Sequence, residues 1–392
     1  MCKVSVIVPI YNVEKYIEKC VRSLFEQTFD DIEYIFVDDA TPDNSIEILS
    51  ELLSVYPNRA INCKIIHHKE NKGLTGARNT GISVASGMYI IHFDGDDWAE
   101  KTMIEDMYSM AESQGADIVL CDFRMIYTDK IVNYYTVDWS DDKVSSLQNY
   151  ICYPWNVIWN MLVKHDIYMQ HKLKSLEANA AYCEDFNLAV KLLLHANKII
   201  HLSKILYNYN RLNISSIMHN LNEKTMNDEQ VMYLDVIDYF KKEGVYQYYK
   251  KQLCWRILKS KQEWVLSTST YNKFLDLYPE SHNYILSCPF LNIKLEVYYR
   301  YNLLLCLLEP VIECRVWNIV ANAERVDGNS IGLTLGFVEE PQSFKIFFAK
   351  HNLSSFKFST KVCERDMLVN TPILEAYENY DVVFSSSCRC YF

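Results

Sequence analysis

Five short apolar runs separated by four amphipathic stretches fill the first 125 residues, and this alternation constrains the fold more than any other feature of the chain. Residues 3–8, "KVSVIV", form an almost unbroken β-branched run, as expected of a strand covered on both faces, and Pro9 is expected to end it. Beyond Glu14, apolar residues recur at Ile17, Cys20, Val21, Leu24 and Phe25, the spacing of a helix with one buried stripe. "YIFV" at 34–37 is the second expected strand. "TPDNSIEILSELLSVY" then supplies turn and capping residues before a helix with Leu49, Leu52, Leu53 and Tyr56 in register. The strand "KIIHH" at 64–68, a glycine-punctuated helix from about Leu74 to Ala85, the strand "YIIHF", a helix over 101–113 and the strand "DIVLCD" at 117–122 continue the series. Repeated strand–helix–strand units predict an open α/β layer with a mainly parallel sheet and flanking helices. Ligands of such sheets bind beyond the carboxyl ends of the strands, where loops converge. Pro9 to Asn12, Asp38 with Asp39, and Asp94 to Asp97 are therefore expected on one rim.

After residue 125 the pattern weakens. "YYTVDWSDDK" reads as irregular or antiparallel strand, and "YPWNVIWNMLVKHDI" at 153–167 as an aromatic-rich turn entering a helix. "YCEDFNLAVKLLLHANKIIHL" gives an amphipathic helix from about Glu184, followed by a strand-like "LYNYN". Aromatic and charged residues alternate at helical spacing over 221–313, which predicts a separate helical region. In the last stretch, 314–392, "RVDGNSIGLTLGFV" and "SFKIFFA" change to period-two alternation with glycine turn signals, so a small β-rich piece of unknown role is expected. Residues 239–264 gather Lys241, Lys242, Lys250, Lys251, Arg256, Lys259 and Lys261 among aromatics. A helix there could lie on an anionic membrane, or belong to an ordinary helical domain whose lysines face water.

The stretch "YIIHFDGDDW" at 89–98 runs an apolar strand into Asp94, Asp96 and Asp97. Carboxylates gathered that closely raise one another's proton affinity, so they either hold a cation or sit in a solvated turn. A calcium loop fits Asp94, Asp96 and Glu105, but Trp98 and Ala99 stand where an oxygen ligand and a glycine are required. The sequence has no GxxxxGK[ST], and Gly73, Gly76 and Gly81 are not spaced as GxGxxG. A catalytic divalent site remains, in which a few carboxylates leave positions for phosphate oxygens, and beside it the solvated acidic loop.

"VPIYN" at 8–12, "VDDAT" at 37–41, "NKGLTGARNTGI" at 71–82, "FDGDDW" at 93–98, "ED" at 184–185 and "YNYNRLNISSI" at 207–217 occur in that order over about 215 residues. This ordered set closely resembles family 2 glycosyltransferases, inverting enzymes of the Rossmann-like GT-A fold. The resemblance implies a catalytic domain over 1–220, with 1–125 as its nucleotide-sugar half and 126–220 as its acceptor and base half. It implies a nucleotide-sugar donor, a UDP-sugar by expectation, and a glycan or lipid-linked acceptor. Mn²⁺ or Mg²⁺ is the implied cofactor, with Asp96 and Asp94 at the metal and Asp94 also near the ribose. Pro9, Tyr11 and Asn12 would line the nucleotide pocket, Asp39 would accept from the base, and Arg78 would lie against the base or diphosphate. Asp185 would be the general base, since a sugar hydroxyl is a poor nucleophile until its proton is taken. The bland alternative for "CEDFNL" is a helix start, where acidic residues suit the dipole.

Where the family often has a lysine in "WNKL", this chain has Met161, with Lys164 and His165 near. His92 shares a strand face with Asp94 and is expected to be packed rather than metal-bound; Asp97 and Arg211 have no settled role. A formal charge of -11 argues against a nucleic-acid partner. Thirteen cysteines without a CxxC pair suggest reduced thiols and a cytoplasmic protein, one that the lysine-rich stretch could hold peripherally on the inner face of the plasma membrane. No leader and no spanning helix are expected: "NLLLCLLEPVI" at 302–312 is too short and is broken by Glu309 and Pro310. Sugar-phosphate nucleotidyl transfer and noncatalytic binding of a nucleotide sugar are the rival functions.

Overall fold

In the computed structural model, which describes residues 2–176, 182–213, 223–261 and 276–290 and the backbone of 319–325, 331–337 and 382–384, four parallel strands form one half of the main sheet. They are β1 (Val4–Ile10), β2 (Ile32–Asp38), β3 (Cys63–His67) and β4 (Tyr89–His92), joined by helices α1 (Ile17–Phe25), α2 (Ser45–Val55), the short α3 (Pro57–Ala60) and α4 (Gly73–Val84). The short β5 (Trp98–Ala99) and helix α5 (Met103–Gln114) lead to β6 (Ile118–Ile126) and β7 (Ile131–Tyr134). Helix α6 (Lys143–Cys152), β8 (Met161–Lys164), α7 (His165–His171), α8 (Glu184–His195) and β9 (Ile199–Asn210) complete the layer. The strand order is β3-β2-β1-β4-β8-β6-β9-β5, with β7 paired to β6. β8 runs antiparallel to both β4 and β6, β5 and β7 are antiparallel additions, and the rest of the path is parallel.

Every residue of β1 is buried, as its β-branched run requires. Its even members Val4, Val6, Val8 and Ile10 enter the core with α1 and α5, while Ile7 lies under Gly81 of α4 on the other face. The strand does not stop at Pro9: it continues to Ile10, with Pro9 opposite Val37. Even residues exchange hydrogen bonds with β2, as Asp39 N–H donating to Ile10 O shows, and odd ones face β4, as Phe93 N–H donating to Ile7 O shows. β4 has ended where Pro9 would need a partner, so the missing N–H costs no ladder bond. "MLVK" is also a strand rather than part of a helix. Met161, Leu162 and Val163 are buried between β4 and β6, and burial on both faces overrides the helical pattern.

The chain divides into units 1–253 and 254–392. The first also holds α9 (Glu223–Lys242) and the first half of α10 (Tyr246–Lys261). The lysine-rich stretch is thus two helices, broken at Gly244 with φ 73°. Within the second unit Lys261 is fully buried, its ammonium bonded to Leu277 O and His282, so that lysine lies on no membrane-facing surface. That unit also contains a short 3₁₀ turn, Pro279–Ser287, and a three-stranded sheet of β10 (Ile319–Arg325), β11 (Ile331–Phe337) and β12 (Val382–Phe384). The "SSI" at 215–217 and most of 291–392 lie outside the described residues. Among those described, no helix is long and apolar enough to cross a membrane.

Candidate active site

The carboxyl ends of β1, β2, β3 and β4 meet as the alternation predicts, because the four strands are parallel and in register. The loops after β1 and β2 are stitched together by side chains. Thr41 Oγ1 accepts from Asn12 N–H at 2.8 Å, Ser45 Oγ from Val13 N–H at 3.3 Å, and Asp43 from Glu14 N–H at 2.8 Å. Asn12 adopts φ 55°, and Tyr11 stands 49% exposed on this rim. Asp38 organises the loop, accepting from Thr41 N–H and meeting His67 Nδ1 at 2.8 Å.

Asp39 lies deeper, 2% exposed. Its Oδ1 meets His68 Nδ1 at 2.6 Å and accepts from Lys72 N–H at 2.8 Å, and the far nitrogen of His68 reaches Thr80 at 2.9 Å. The described residues give Oδ2 no donor. His68 was not singled out from sequence, although it follows the third strand on the ligand-binding rim; applying the rim rule to "KIIHH" would have found it.

After β4 the chain turns through Asp94, Gly95, Asp96 and Asp97. A side chain at Gly95 would come within 3.1 Å of Pro9 O and 3.3 Å of Val13, so glycine lets the loop pack closely on the first strand. Asp97 is 1% exposed, and both its oxygens are bound by β9: Tyr207 Oη donates at 2.6 Å and Asn210 N–H at 2.7 Å. Tyr207 Oη also accepts from Asp94 N–H at 3.3 Å. Asn210 donates to Asp96 O at 3.1 Å and Asn213 to Asp96 Oδ2 at 2.8 Å. Asp97 is therefore an anchor of the loop, and "YNYNRLN" is the element that grips it.

Arg78, on α4, is 0% exposed. Its Nη2 donates to Asp94 Oδ1 at 2.9 Å, and its Nη1 to Glu184 at 3.0 Å and Asp185 Oδ1 at 2.6 Å. Instead of presenting a free face to a nucleotide, the guanidinium joins the start of α8 to the aspartate loop. Burial pushes up the proton affinity of Glu184 and Asp185, and Arg78 opposes that rise. Burial and the neighbouring Asp94 carboxylate raise the Asp96 pKa to about 6; the same causes, with Asp96, push Asp97 well up. This donor set fits a hard divalent cation: closely spaced oxygens hold negative charge that Arg78 alone does not balance. Among the described residues no three His, Cys, Asp or Glu side chains converge on one point. An ion held by Asp94 and Asp96 would thus draw further ligands from substrate and water.

His92 is 1% exposed, meets Tyr168 Oη at 3.2 Å, and is kept neutral by burial and by Arg78. Because β8 runs antiparallel to β4, Lys164 and His165 sit at the opposite end of the sheet, against Asp117 and Gly87, and neither substitutes for the lysine missing at Met161. Arg211 donates to Tyr209 Oη at 3.3 Å and is held to β6 by its backbone.

A curled, mostly parallel sheet with acidic loops at its carboxyl rim is the GT-A architecture. The solved structure of Staphylococcus aureus TarS residues 1–349 in complex with UDP-GlcNAc shares it, with a TM-score of 0.57 at 20% identity, over 86% of this chain and 98% of that one. Residues 5–164 match the glycosyl transferase family 2 model. Among curated relatives, the uncharacterized glycosyltransferase EpsJ of Bacillus subtilis is 46% identical over 127 residues, 32% of this chain and 36% of that protein. Glycosyltransferase GlyG of Streptococcus pneumoniae is 40% identical over 138 residues, 35% of this chain and 41% of that protein. The chain thus spans between about a third and two fifths of the length of these two relatives.

Proposed function

We propose that this protein is an inverting glycosyltransferase that moves a sugar from a nucleoside-diphosphate sugar, a UDP-sugar in the first instance, to a hydroxyl of a glycan or lipid-linked acceptor. The observation that carries this is the pairing of Asp94 and Asp185 through one guanidinium, at 2.9 and 2.6 Å. A donor-side carboxylate and an acceptor-side carboxylate face one site, as a single displacement requires. Asp185 takes the proton of the attacking hydroxyl. Burial makes it a stronger base than a solvated aspartate, while Arg78 keeps it ionised near neutral pH. Asp39, oriented by His68, uses its second oxygen to accept from the nucleobase, with Pro9, Tyr11 and Asn12 beside it. Asp96 and Asp94 would hold Mn²⁺ or Mg²⁺, which when bound stabilises the charge developing on the departing diphosphate.

TarS, by name a poly(ribitol-phosphate) β-N-acetylglucosaminyltransferase, is 31% identical to this chain over 216 residues, which supports a polymer acceptor and a role in polysaccharide synthesis. Nucleotidyl transfer is the weaker alternative, since the loop "PIYNVEK" after β1 has no glycine for a triphosphate. A noncatalytic module would leave Asp185 only its structural ion pair with Arg78, and binding of a nucleotide sugar without turnover would favour that reading. The test is a screen of nucleotide sugars with Mn²⁺ or Mg²⁺, reading nucleoside diphosphate release and the anomer formed. Asp185→Asn should lose about 10²-fold or more in kcat, and unchanged turnover in that variant would remove Asp185 as the base.

A further inference from the structure

Arg78 does not itself touch the substrate in the chemistry just described, yet it is a charged side chain with no exposure to solvent. Its two terminal nitrogens reach carboxylates that are far apart in sequence: Asp94 on one side, Glu184 and Asp185 on the other. Its Nε has no partner among the described residues. His92, on the strand leading to Asp94, is neutral, so it shares none of the positive charge. Three carboxylates thus compete for one guanidinium where little water screens them, and what one gains the others lose.

We propose that Arg78 is a positioning residue that couples the donor side of the site to the acceptor side, dividing its charge between Asp94 and the Glu184–Asp185 pair. A divalent cation on Asp94 relieves that carboxylate of its need for Arg78, and the guanidinium turns more fully to Asp185. The base is then aimed and charge-paired only once the donor side is filled. Linkage makes the effect reciprocal: removing charge from the acceptor side leaves Arg78 to Asp94 and weakens cation binding there, though neither Glu184 nor Asp185 is placed at the metal.

This inference rests on a cation at Asp94 and Asp96, and Mn²⁺ affinity measured by titration calorimetry with UDP present tests both ideas separately. Asp185→Asn should weaken Mn²⁺ binding by about 5-fold or more, and Glu184→Gln should move it in the same direction. Plain loss of through-space attraction between the carboxylate and the cation would give the same sign, so the deciding measurement repeats Asp185→Asn in an Arg78→Lys background. A lysine is a point charge that cannot bridge both sides, and the effect there should fall below about 2-fold. An Mn²⁺ affinity indifferent to Asp185→Asn and Glu184→Gln, or equally sensitive in the lysine background, overturns the coupling. If Arg78→Lys does not fold, Asp185→Asn is measured at low and high salt instead: a loss of Mn²⁺ affinity that persists in high salt supports the buried bridge, and one that salt abolishes is a through-space effect and overturns the coupling. Failure of the wild-type protein to bind Mn²⁺ overturns the metal assignment itself, and the coupling with it.

Discussion

Glu33 sits at the amino end of β2, opposite the candidate site, and is 6% exposed. It accepts from Ser86 N–H at 2.5 Å, Ser86 Oγ at 2.9 Å, Gly87 N–H at 3.0 Å, Lys64 Nζ at 2.8 Å and the Ser5 hydroxyl, tying three strands to the α4–β4 turn. Burial works to raise its pKa, but Lys64 and the other donors overcome that and lower it from 4.5 to about 2. At 1.36 kcal/mol per pH unit, such a fall corresponds to about 3 kcal/mol of folding stability held by the ionised group. The lowered value fixes the sign. The stabilisation is complete above the unfolded-state pKa near 4.5 and is lost as pH falls toward 2. Glu33→Gln should therefore cost about 2–4 kcal/mol in urea unfolding near pH 7, and that cost should shrink by at least half near pH 3. UDP affinity should stay at the wild-type value, because the rim is a full strand length away. An equal cost at both pH values would show that the bonds act by shape alone and that the charge contributes nothing.

Other expectations follow from the same geometry. Tyr207→Phe removes the hydroxyl that bridges Asp97 and Asp94 N–H, and should cost about 1–3 kcal/mol in thermal or urea unfolding while raising the KM for the donor. Gly87→Ala places a methyl 2.7 Å from Ser5 N and 2.9 Å from Val4 C, where backbone cannot yield, and should destabilise by about 1–3 kcal/mol in the same assay. His68→Ala frees Asp39 from its orienting partner and should weaken UDP binding by about 10-fold in calorimetry, with kcat less affected. Because burial raises the Asp185 pKa and the base works only when ionised, kcat/KM should fall with decreasing pH at values above the ordinary carboxylate range. A profile flat down to pH 4.5 would contradict that assignment.

Much of the first half was legible in the sequence because parallel strands buried on both faces must be continuously apolar. Val6 to Val8, Ile35 to Val37 and Tyr89 to Ile91 could hardly be anything else. Their polar ends then marked the rim. Less could be seen where tertiary packing outweighs local pattern, as at Pro9, whose harmlessness depends on where β4 stops, and at Met161 to Lys164, whose strand exists only between two others. The role of Arg78 was hidden for a different reason. "GARN" shows a guanidinium one helix turn beyond a glycine loop, but nothing local tells that its partners lie 106 and 107 residues away.

The same long-range dependence limits how far the matched segment can stand alone. Residues 5–164 include Asp94, Asp96, Asp97 and Arg78 but none of their partners on α8 and β9. A chain ended at residue 164 would leave Asp97 without Tyr207 and Asn210, Asp96 without Asn210 and Asn213, and Arg78 facing Asp94 alone. It would also strip β6 of its long parallel pairing with β9, exposing an apolar edge. Each lost bond to a buried carboxylate costs about 1–3 kcal/mol, so the two at Asp97 with the loss of β9 packing exceed the roughly 5–15 kcal/mol that holds a domain folded only at its lower end. The truncated chain should give exposed-hydrophobic dye binding and rapid proteolysis at neutral pH, whereas a chain ended at residue 253 should resist both. A stable, protease-resistant 1–164 fragment would mean that the acidic loop needs no support from β9, and that the grip of Tyr207 and Asn210 on Asp97 is incidental to the fold.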